Sequence, residues 1–228
     1  MVEKTIIVFS PHPDDETLGV GGTIAKEAKK GQRILVVIMT DGRHAFTTMG
    51  IDSDPSPEEL KEIRKKELTK ALEMLGVNEE NLFFLNFEDG TLEHNESLAE
   101  EKTITVLAKN PPSEVYFTYA KDAHADHRAT NRIVRKAIKK SGFAPIKYQY
   151  CICRPHSRIV RLMDSFANFF RYNMLRVDVS EFVDLKKAAI NEFKSQTAII
   201  SVKQENPIFS PIGLGNFLGN YETFYKDK

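Results

Sequence analysis

The sequence predicts an α/β protein with a Rossmann-like three-layer sandwich built around a mostly parallel sheet. Three observations lead to this fold class: β-type runs alternate with helical segments, the runs are apolar almost throughout, and polar clusters follow four of them. Continuous apolar runs suit strands buried on both faces, and strand–helix alternation is typical of a parallel sheet covered on both sides. A chain of 228 residues is long enough for one such unit and short for two, so we expect a single domain over residues 1–228.

Five strands are predicted, with helices between them. In chain order the strands are Thr5–Ser10, Arg33–Thr40, Leu82–Phe87, Ser113–Tyr119 and Lys147–Cys153. The clearest helix covers Pro57–Leu75, because leucine and isoleucine recur at helical spacing and Gly76 follows as a stop signal. Gly19, Gly21 and Gly22 lack the spacing of a dinucleotide-binding G-x-G-x-x-G loop, so we interpret them as close packing of the first helix on the sheet.

Two further predictions concern the region that follows the fourth helix. Cys151 and Cys153 are two residues apart on the fifth predicted strand, Lys147–Cys153, so both side chains point to the same face. We expect buried free thiols that form no disulfide and bind no metal. Apolar residues at helical spacing then predict a helix on the core or on a second subunit; a substrate lid and a membrane-surface contact are the alternatives. These apolar residues are Leu162, Met163, Phe166, Phe169, Phe170 and Met174.

Charge and hydropathy exclude several classes of partner. Lys plus Arg and Asp plus Glu each total 32, so no net field attracts nucleic acid or an anionic membrane. The longest apolar runs are far shorter than the roughly 18 residues of a membrane-spanning helix, and Met1–Lys4 leads straight into a strand. We therefore expect a soluble, cytoplasmic protein with no nucleic-acid or membrane partner. The stretch Phe166–Tyr172 could form a homo-oligomer contact.

The motif Pro11–Glu16, which reads P-H-P-D-D-E, directly follows the first predicted strand. A turn with one imidazole and two adjacent carboxylates can give a divalent metal two ligands and keep one carboxylate as a base. A second cluster, Tyr119–Arg128, follows the fourth strand and offers a third, histidine ligand. Ligands of open α/β sheets bind beyond the carboxyl ends of the strands, so we expect these loops, with Thr40–Gly42 and Asp89–Gly90, to form one cleft for metal-assisted hydrolysis.

With these motifs, the chain resembles the LmbE-like (PIG-L) family of zinc-dependent N-acetylglucosaminyl deacetylases. The family signatures A-H-P-D-D-E and H-P-D-H are similar to Pro11–Glu16 and His124–His127, with Ala125 in place of the usual proline. The family's R-x-x-E helix is matched by Arg64 and Glu67. Its S-Q and E-x-F elements correspond to Ser195–Gln196 and Glu222–Phe224.

The resemblance implies a mechanism and a substrate class. It implies one zinc ion per chain, bound by His12, Asp15 and His127. Asp14 would be the general base, and His124 would stabilise the oxyanion or protonate the departing amine. The implied reaction removes the N-acetyl group from an N-acetylglucosamine-type amino sugar or a conjugate of it, such as a chitin disaccharide, an inositol conjugate or a malate glycoside.

Four further residues are candidates for supporting roles. Arg64 lies along the apolar stripe of its predicted helix, so it either pairs with a neighbour or reaches the site to bind substrate or brace it. Asp89 is either a turn former or an acceptor for a sugar hydroxyl. Asp122 and Asp126 are both close enough in sequence for a carboxylate to accept a hydrogen bond from the His124 ring and so fix its orientation. The sequence does not choose between them.

Two other functions stay open at this stage. One is a metal-dependent hydrolase of a different amide or ester, which shares the metal site and differs in the pocket. The other is a sugar-phosphate or nucleotide-binding module without catalysis, which predicts no metal and no role for Asp14. A substrate panel and a metal analysis separate them from the deacetylase.

Overall fold

The computed structural model describes residues 3–153 and 172–227, and one sheet runs through the middle of this part of the chain. Its strands are β1 (Thr5–Ser10), β2 (Arg33–Thr40), β3 (Leu82–Phe87), β4 (Glu114–Thr118), β5 (Ile146–Tyr150), β6 (Tyr172–Asp178) and β7 (Tyr221–Asp227). Their order across the sheet is β3-β2-β1-β4-β5-β7-β6. The first five strands are parallel, and β7 runs antiparallel to both β5 and β6. The predicted α/β fold with a mostly parallel sheet is confirmed.

Helices cover both faces of the sheet. The helices of the described residues are α1 (Asp15–Lys29), α2 (Pro57–Met74), α3 (Glu96–Lys109), α4 (Ala125–Ser141), α5 (Val183–Ile190), α6 (Lys194–Thr197) and α7 (Pro211–Gly215). Successive residues of a strand point to opposite faces, so β1 sends Ile6 and Val8 into a core with α1, α2 and α5, and Ile7 and Phe9 into a core with α3 and α4. None of the helices within residues 3–153 and 172–227 combines the length and apolar character that crossing a membrane requires.

The glycines of α1 do pack the helix closely on its neighbours. A Cβ atom at Gly19 would lie 2.4 Å from the ring of Tyr150, and one at Gly22 would lie 2.7 Å from Val179. Real side chains essentially never approach to less than about 3 Å, so a larger residue at either position would force α1 or its neighbour to shift. The prediction of close helix packing is confirmed.

Strand β5 ends earlier than predicted. It stops at Tyr150 because the next backbone N–H groups leave the ladder: those of Ile152 and Cys153 both donate to Asp122 Oδ2 at 3.0 Å. The expectation of two buried thiols is wrong, since Cys151 is half-buried and Cys153 is exposed; neither is in a disulfide bond.

The prediction of a helix that reaches Met174 is also wrong at its C-terminal end. Tyr172–Asp178 forms strand β6, whose residues pair with β7 from Tyr172 to Asp178 without interruption. The rest of that prediction, from Leu162 to Phe170, lies outside the described residues, as does most of the Phe166–Tyr172 stretch that was considered for a subunit contact.

Candidate active site

The two histidine-bearing motifs meet at the point where strand order reverses. Strand β1 lies between β2 and β4, so the chain builds the sheet outward from β1 in both directions. Pro11–Glu16 follows β1 and His124–His127 follows β4, which places both loops at the carboxyl edge of adjacent parallel strands. Ligands of open α/β sheets bind at such a switch point.

Three donor atoms from these loops lie within hydrogen-bonding distance of one another. His12 Nδ1 is 3.0 Å from Asp15 Oδ2, and His127 Nε2 is 3.2 Å from the same oxygen. The two ring nitrogens are 3.3 Å apart. All three side chains are buried, with at most 11 % of any of them exposed. One carboxylate oxygen thus sits between two imidazole nitrogens.

Each imidazole has a carboxylate behind it as well. On the far side of the His12 ring, Nε2 lies 3.2 Å from Asp89 Oδ1 and 3.4 Å from Asp126 Oδ2. On the far side of the His127 ring, Nδ1 lies 3.1 Å from Asp122 Oδ1. Within the described part of the chain, these nitrogens make no hydrogen bond of good geometry, but the carboxylates lie close enough to attract a proton on each ring.

Asp122 and Asp126, the two carboxylates considered for orienting His124, make their contacts to side chains with other residues. The Asp122 carboxylate faces His127, and the Asp126 carboxylate faces His12. The hydrogen bonds that link each aspartate to His124 involve a backbone N–H group. The His124 N–H donates to Asp122 Oδ1 at 3.1 Å, and the Asp126 N–H donates to His124 Nδ1 at 3.3 Å. The Asp126 carboxylate is held in place by the backbone N–H groups that follow β3, at Gly90 and Leu92.

Electrostatics in the cluster favour charged carboxylates and protonated imidazoles. Burial lowers the pKa of His12, but the surrounding carboxylates raise it well above its ordinary value. Burial also opposes protonation of His127, while Asp15 and Asp122 raise its pKa to about 9. Burial raises the pKa of Asp15, but the two imidazoles hold it well below its usual range. The cluster is therefore a ready site for positive charge, either protons or a metal cation.

Asp14 faces different surroundings from its neighbour. Its backbone has φ +146°, an unfavourable angle for a non-glycine residue, and its side chain is 5 % exposed. Asp14 Oδ2 accepts a 2.7 Å hydrogen bond from Arg64 Nη2. Burial raises the pKa of Asp14 to about 7, and the Arg64 guanidinium opposes that rise. Strained backbone at a buried titratable group is typical of a functional position.

Glu16 is a site residue to which the sequence analysis assigned no role. It is fully buried, and its carboxylate accepts hydrogen bonds from Ser10 Oγ, Thr17 Oγ1 and the Asp14 backbone N–H at 3.0, 2.7 and 3.2 Å. Burial raises the pKa of Glu16. The sequence indicated this residue only by its position as the last acidic residue of the motif Pro11–Glu16. Through these hydrogen bonds, Glu16 fixes the turn that carries Asp14.

His124 is the exposed member of the histidine group. Its Nδ1 caps α4 by accepting the Asp126 N–H, so the neutral ring carries its proton on Nε2. Partial desolvation of the ring, together with the nearby His12 and His127, lowers the pKa of His124. The group is thus a neutral Nε2–H donor near pH 7.

The two remaining candidates are buried and contact other residues of the site, although Arg64 Nε has no hydrogen-bond partner among the described residues. Arg64 is 3 % exposed, and besides Asp14 its guanidinium contacts the carbonyl oxygens of Pro13 and Gly42. Asp89 is 9 % exposed; its Oδ1 faces His12, and its Oδ2 accepts the His44 N–H at 3.1 Å. A substrate-binding role for Arg64 and Asp89 stays a prediction.

Other combinations of side chains near this cluster could also hold a metal ion. Among the described residues, potential ligand atoms lie within 4.8 Å of one another in the groups His12–His124–His127, His12–Asp89–Asp126 and Asp122–His127–Cys153. The last group qualifies the expectation that the cysteines lie apart from the metal chemistry. Desolvation of the Cys153 thiol and the nearby carboxylates raise its pKa to about 12, however, and a protonated thiol is a poor ligand.

Comparison with known proteins identifies the family. The family model described as PIG-L, GlcNAc-PI de-N-acetylase, matches residues 7–138, a span that contains both histidine motifs. This chain belongs to the PIG-L family. The predicted family is confirmed.

Two relatives and one solved structure place the chain among deacetylases of known name. A probable N-acetyl-alpha-D-glucosaminyl L-malate deacetylase 2 of Bacillus cereus is 28 % identical over 200 residues, which cover 86 % of this chain and 85 % of that protein. The diacetylchitobiose deacetylase of Thermococcus kodakarensis is 28 % identical over 204 residues, 85 % of this chain and 70 % of that protein. The structure of N,N'-diacetylchitobiose deacetylase from Pyrococcus horikoshii has a TM-score of 0.72 and 23 % identity, and covers 98 % of this chain and 83 % of that one. The predicted class of enzyme, an N-deacetylase, is confirmed.

Proposed function

We propose that this protein is a zinc-dependent hydrolase that removes the N-acetyl group from an N-acetylglucosamine-type amino sugar or its conjugate. The observation that carries the proposal is the triad of His12 Nδ1, Asp15 Oδ2 and His127 Nε2 beside the separate carboxylate of Asp14. The two named relatives act on N-acetylated glucosamine compounds that differ in what the sugar is attached to. We infer that this chain shares the acetamido sugar as its reacting part.

The donor set fits a zinc ion. Zinc lies about 2.0 to 2.2 Å from nitrogen and oxygen ligands and prefers tetrahedral coordination, so neighbouring ligand atoms are separated by roughly 3.3 to 3.6 Å. The three donor atoms of His12, Asp15 and His127 are 3.0 to 3.3 Å apart, close to that separation. Two nitrogens and one oxygen leave a fourth position open, which is the pattern of catalytic rather than structural zinc.

The chain's own residues divide the remaining work. Zinc bound at this site supplies Lewis-acid chemistry, which polarises the amide carbonyl and acidifies a water molecule. Asp14 accepts the proton of the attacking water; a base with a pKa near 7 is well matched to this task at neutral pH. His124, neutral and with its proton on Nε2, donates a hydrogen bond to the oxyanion as it develops. Asp14, protonated after the attack, then holds the proton that the departing amine requires.

An assay of amine release tests the proposal. We expect the purified, zinc-loaded protein to release free amine and acetate in equal amounts from at least one of N-acetylglucosamine, diacetylchitobiose and an N-acetylglucosaminyl malate, and the Asp14→Asn variant to lose this activity. Hydrolysis of a simple ester or an unrelated amide at a rate above that of all three sugars would favour the other metal-dependent hydrolase. A protein that binds these sugars but releases no amine would favour the non-catalytic module.

A further inference from the structure

Cys153 lies beside the second histidine motif, although it belongs to a different loop. It follows β5, which pairs in parallel with β4, so the loops after these two strands share the carboxyl edge of the sheet. Two backbone hydrogen bonds join the loops: the Cys153 N–H donates to Asp122 Oδ2 at 3.0 Å, and the Ala123 N–H donates to the Cys153 carbonyl at 2.9 Å. The backbone of Cys153 is therefore fixed against the loop that leads to His127.

One ring nitrogen of His127 is directed toward this junction. Nε2 is turned to Asp15 and His12, at 3.2 and 3.3 Å. Nδ1 lies on the opposite side of the ring, 3.1 Å from Asp122 Oδ1, and makes no hydrogen bond of good geometry within the described part of the chain. The His127 side chain is only 2 % exposed. Nδ1 is thus a buried polar atom that can still bind a ligand.

We propose that Cys153, Asp122 and His127 form a second metal site, which takes a thiophilic divalent cation such as cadmium. The thiol, a carboxylate oxygen and a ring nitrogen already lie within 4.8 Å of one another. Sulfur, nitrogen and oxygen ligands of a tetrahedral ion of zinc's size are separated by roughly 3.3 to 3.6 Å, so the ligand atoms need to approach by at most about 1.2 Å. Cys153 is an exposed residue, which leaves its side chain free to turn toward such an ion.

The chemistry of the thiol decides which cations fit. Desolvation and the nearby carboxylates raise the pKa of Cys153 to about 12, so the sulfur carries its proton at neutral pH. Magnesium and calcium bind through oxygen and do not displace this proton. A thiophilic cation does, because a thiol that coordinates a metal is deprotonated outright. A cadmium–sulfur bond then replaces the S–H bond, and the proton passes to the solvent.

Occupation of this second site excludes zinc from the first through the His127 ring. A neutral imidazole has one lone pair on one nitrogen and its proton on the other. When Nδ1 binds cadmium, the proton resides on Nε2, which then has no lone pair left for zinc. A thiophilic cation should therefore displace the catalytic metal without taking its place. This step rests on the proposed role of His127 as a zinc ligand.

The first test titrates cadmium into metal-stripped protein near pH 8 and records the ultraviolet charge-transfer absorption of a cadmium–sulfur bond. We expect this absorption in the wild type to level off at one ion per chain and to be absent from Cys153→Ser. Cys151→Ser is the matched control. The Cys151 thiol also lies near Asp122, with Sγ 3.8 Å from Oδ2, but it is not part of the group of three ligand atoms, so this variant should keep the absorption.

Two results of this titration would overturn the site. One is a wild type that binds cadmium without the absorption, and the other is an absorption that disappears in Cys151→Ser in place of Cys153→Ser. Neither the absorption nor the stoichiometry requires turnover. Both results are therefore distinct from failure of the proposed function, in which the zinc-loaded wild type releases no amine in the absence of cadmium.

The second test asks whether the two sites exclude each other. Zinc-loaded protein is incubated with cadmium, desalted and analysed for both metals, while amine release is measured relative to the cadmium-free rate of the same variant. We expect cadmium to remove zinc and activity together from the wild type and from Cys151→Ser. Cys153→Ser should need about tenfold more cadmium or beyond for the same loss, since even residues behind a metal ligand commonly contribute that factor to affinity.

The metal contents distinguish the alternatives to exclusion. A wild-type chain that holds one zinc and one cadmium, with the cadmium–sulfur absorption present, would show that the two sites do not share His127. Equal loss of zinc from all three proteins would show that cadmium replaces zinc at the catalytic position. Either result would contradict the proposal.

Discussion

Asp14 and Asp15 are neighbours in the chain but lie in opposite electrostatic surroundings. Asp15 Oδ2 sits between two imidazoles, which hold its pKa well below the usual range. Asp14 has one guanidinium partner, and burial raises its pKa to about 7. Two titratable groups whose pKa values are pushed apart commonly divide the roles of ligand and base.

Asp14→Asn tests this division of roles directly. The amide preserves the shape and can still accept a hydrogen bond from Arg64, but it cannot take a proton from water. We expect kcat to fall about 10²- to 10⁴-fold, the usual cost of a lost general base, while the zinc content and KM stay near those of the wild type. Metal analysis and steady-state kinetics on one preparation provide the measurement. Loss of zinc from this variant would mean that Asp14, not Asp15, is the ligand.

His124 gives a prediction about pH dependence. Its lowered pKa keeps the ring neutral, with the proton on Nε2, from neutral pH upward, so its ability to donate does not change as the pH rises. We expect His124→Ala to lower kcat about 10²-fold and to leave the shape of the kcat–pH curve between about pH 7 and 9 unchanged. His94→Ala, at an exposed histidine, is the control. An alkaline limb that vanishes in His124→Ala would instead assign the reaction to the imidazolium form.

The sequence made the proposed metal ligands and acid–base residues recognisable, because they stand together in two short motifs. It did not reveal the second layer of contacts. Asp89 lies far from His12 in the chain, and only the fold brings it to 3.2 Å from the ring. Asp122 and Asp126 are close to His124 in sequence, yet their carboxylates lie near His127 and His12. Backbone N–H groups from elsewhere in the chain hold them there: those of Ile152 and Cys153 bind Asp122, and those of Gly90 and Leu92 bind Asp126.

At the scale of elements, the buried Glu222 joins strand β7 to two helices, to α5 by an ion pair and to α1 by backbone hydrogen bonds. Glu222 of β7 accepts the backbone N–H groups of Gly22 and Thr23 in α1 at 2.8 Å each, and Lys186 of α5 donates to it at 2.6 Å. Lys186 is 2 % exposed and Glu222 is 5 % exposed. The family's E-x-F element thus has a structural use here, distant from the donor atoms.

Glu222→Gln should destabilise the fold and spare the chemistry. Removing one partner leaves a buried ammonium unpaired, so we expect the free energy of unfolding to fall by about 3 kcal/mol in urea titration, with kcat of the folded protein unchanged. Glu93→Gln, at an exposed position, is the isosteric control, and a second change of Lys186→Met should restore part of the loss. A change within about 0.5 kcal/mol of wild type would show that the pair contributes nothing.

Strands differed in how well their sequences predicted them. β1, β2 and β3 match the predicted bounds residue for residue. β1 and β2 are buried on both faces and read as continuous apolar runs, whereas β3, at the edge of the sheet, is only partly buried and its run is interrupted by the exposed Asn86. β6 and β7 carry charged residues and are partly exposed, so they lack such a run, and Met174 was assigned to a helix instead. Strands near the edge of a sheet, such as β6 and β7, depend on pairing with a strand distant in the chain. The sequence of the strand alone does not reveal that partner.

At the scale of the whole molecule, the position of the site follows from strand order. Four loops at the carboxyl ends of β1 to β4 were expected to converge, and Asp15, Asp41, Asp89 and His127 do lie along that edge, linked by contacts such as the Asp89 N–H to Asp41 Oδ1 at 3.4 Å. The order of elements was sufficient for this prediction because parallel strands put all their carboxyl ends on one side. The distances between donor atoms needed the folded chain.

The claim that zinc bound by His12, Asp15 and His127 drives amide hydrolysis is tested most directly by titrating zinc into metal-stripped protein while amine release from diacetylchitobiose is measured. Ligands at these positions must be deprotonated to bind metal, so the titration is run near pH 8 with the Asp15→Ala variant in parallel. We predict that the rate rises in proportion to bound zinc and levels off at one ion per chain, and that Asp15→Ala neither retains zinc nor gains activity. Full activity in the metal-stripped protein, or zinc-dependent activity in Asp15→Ala equal to that of the wild type, would contradict the claim.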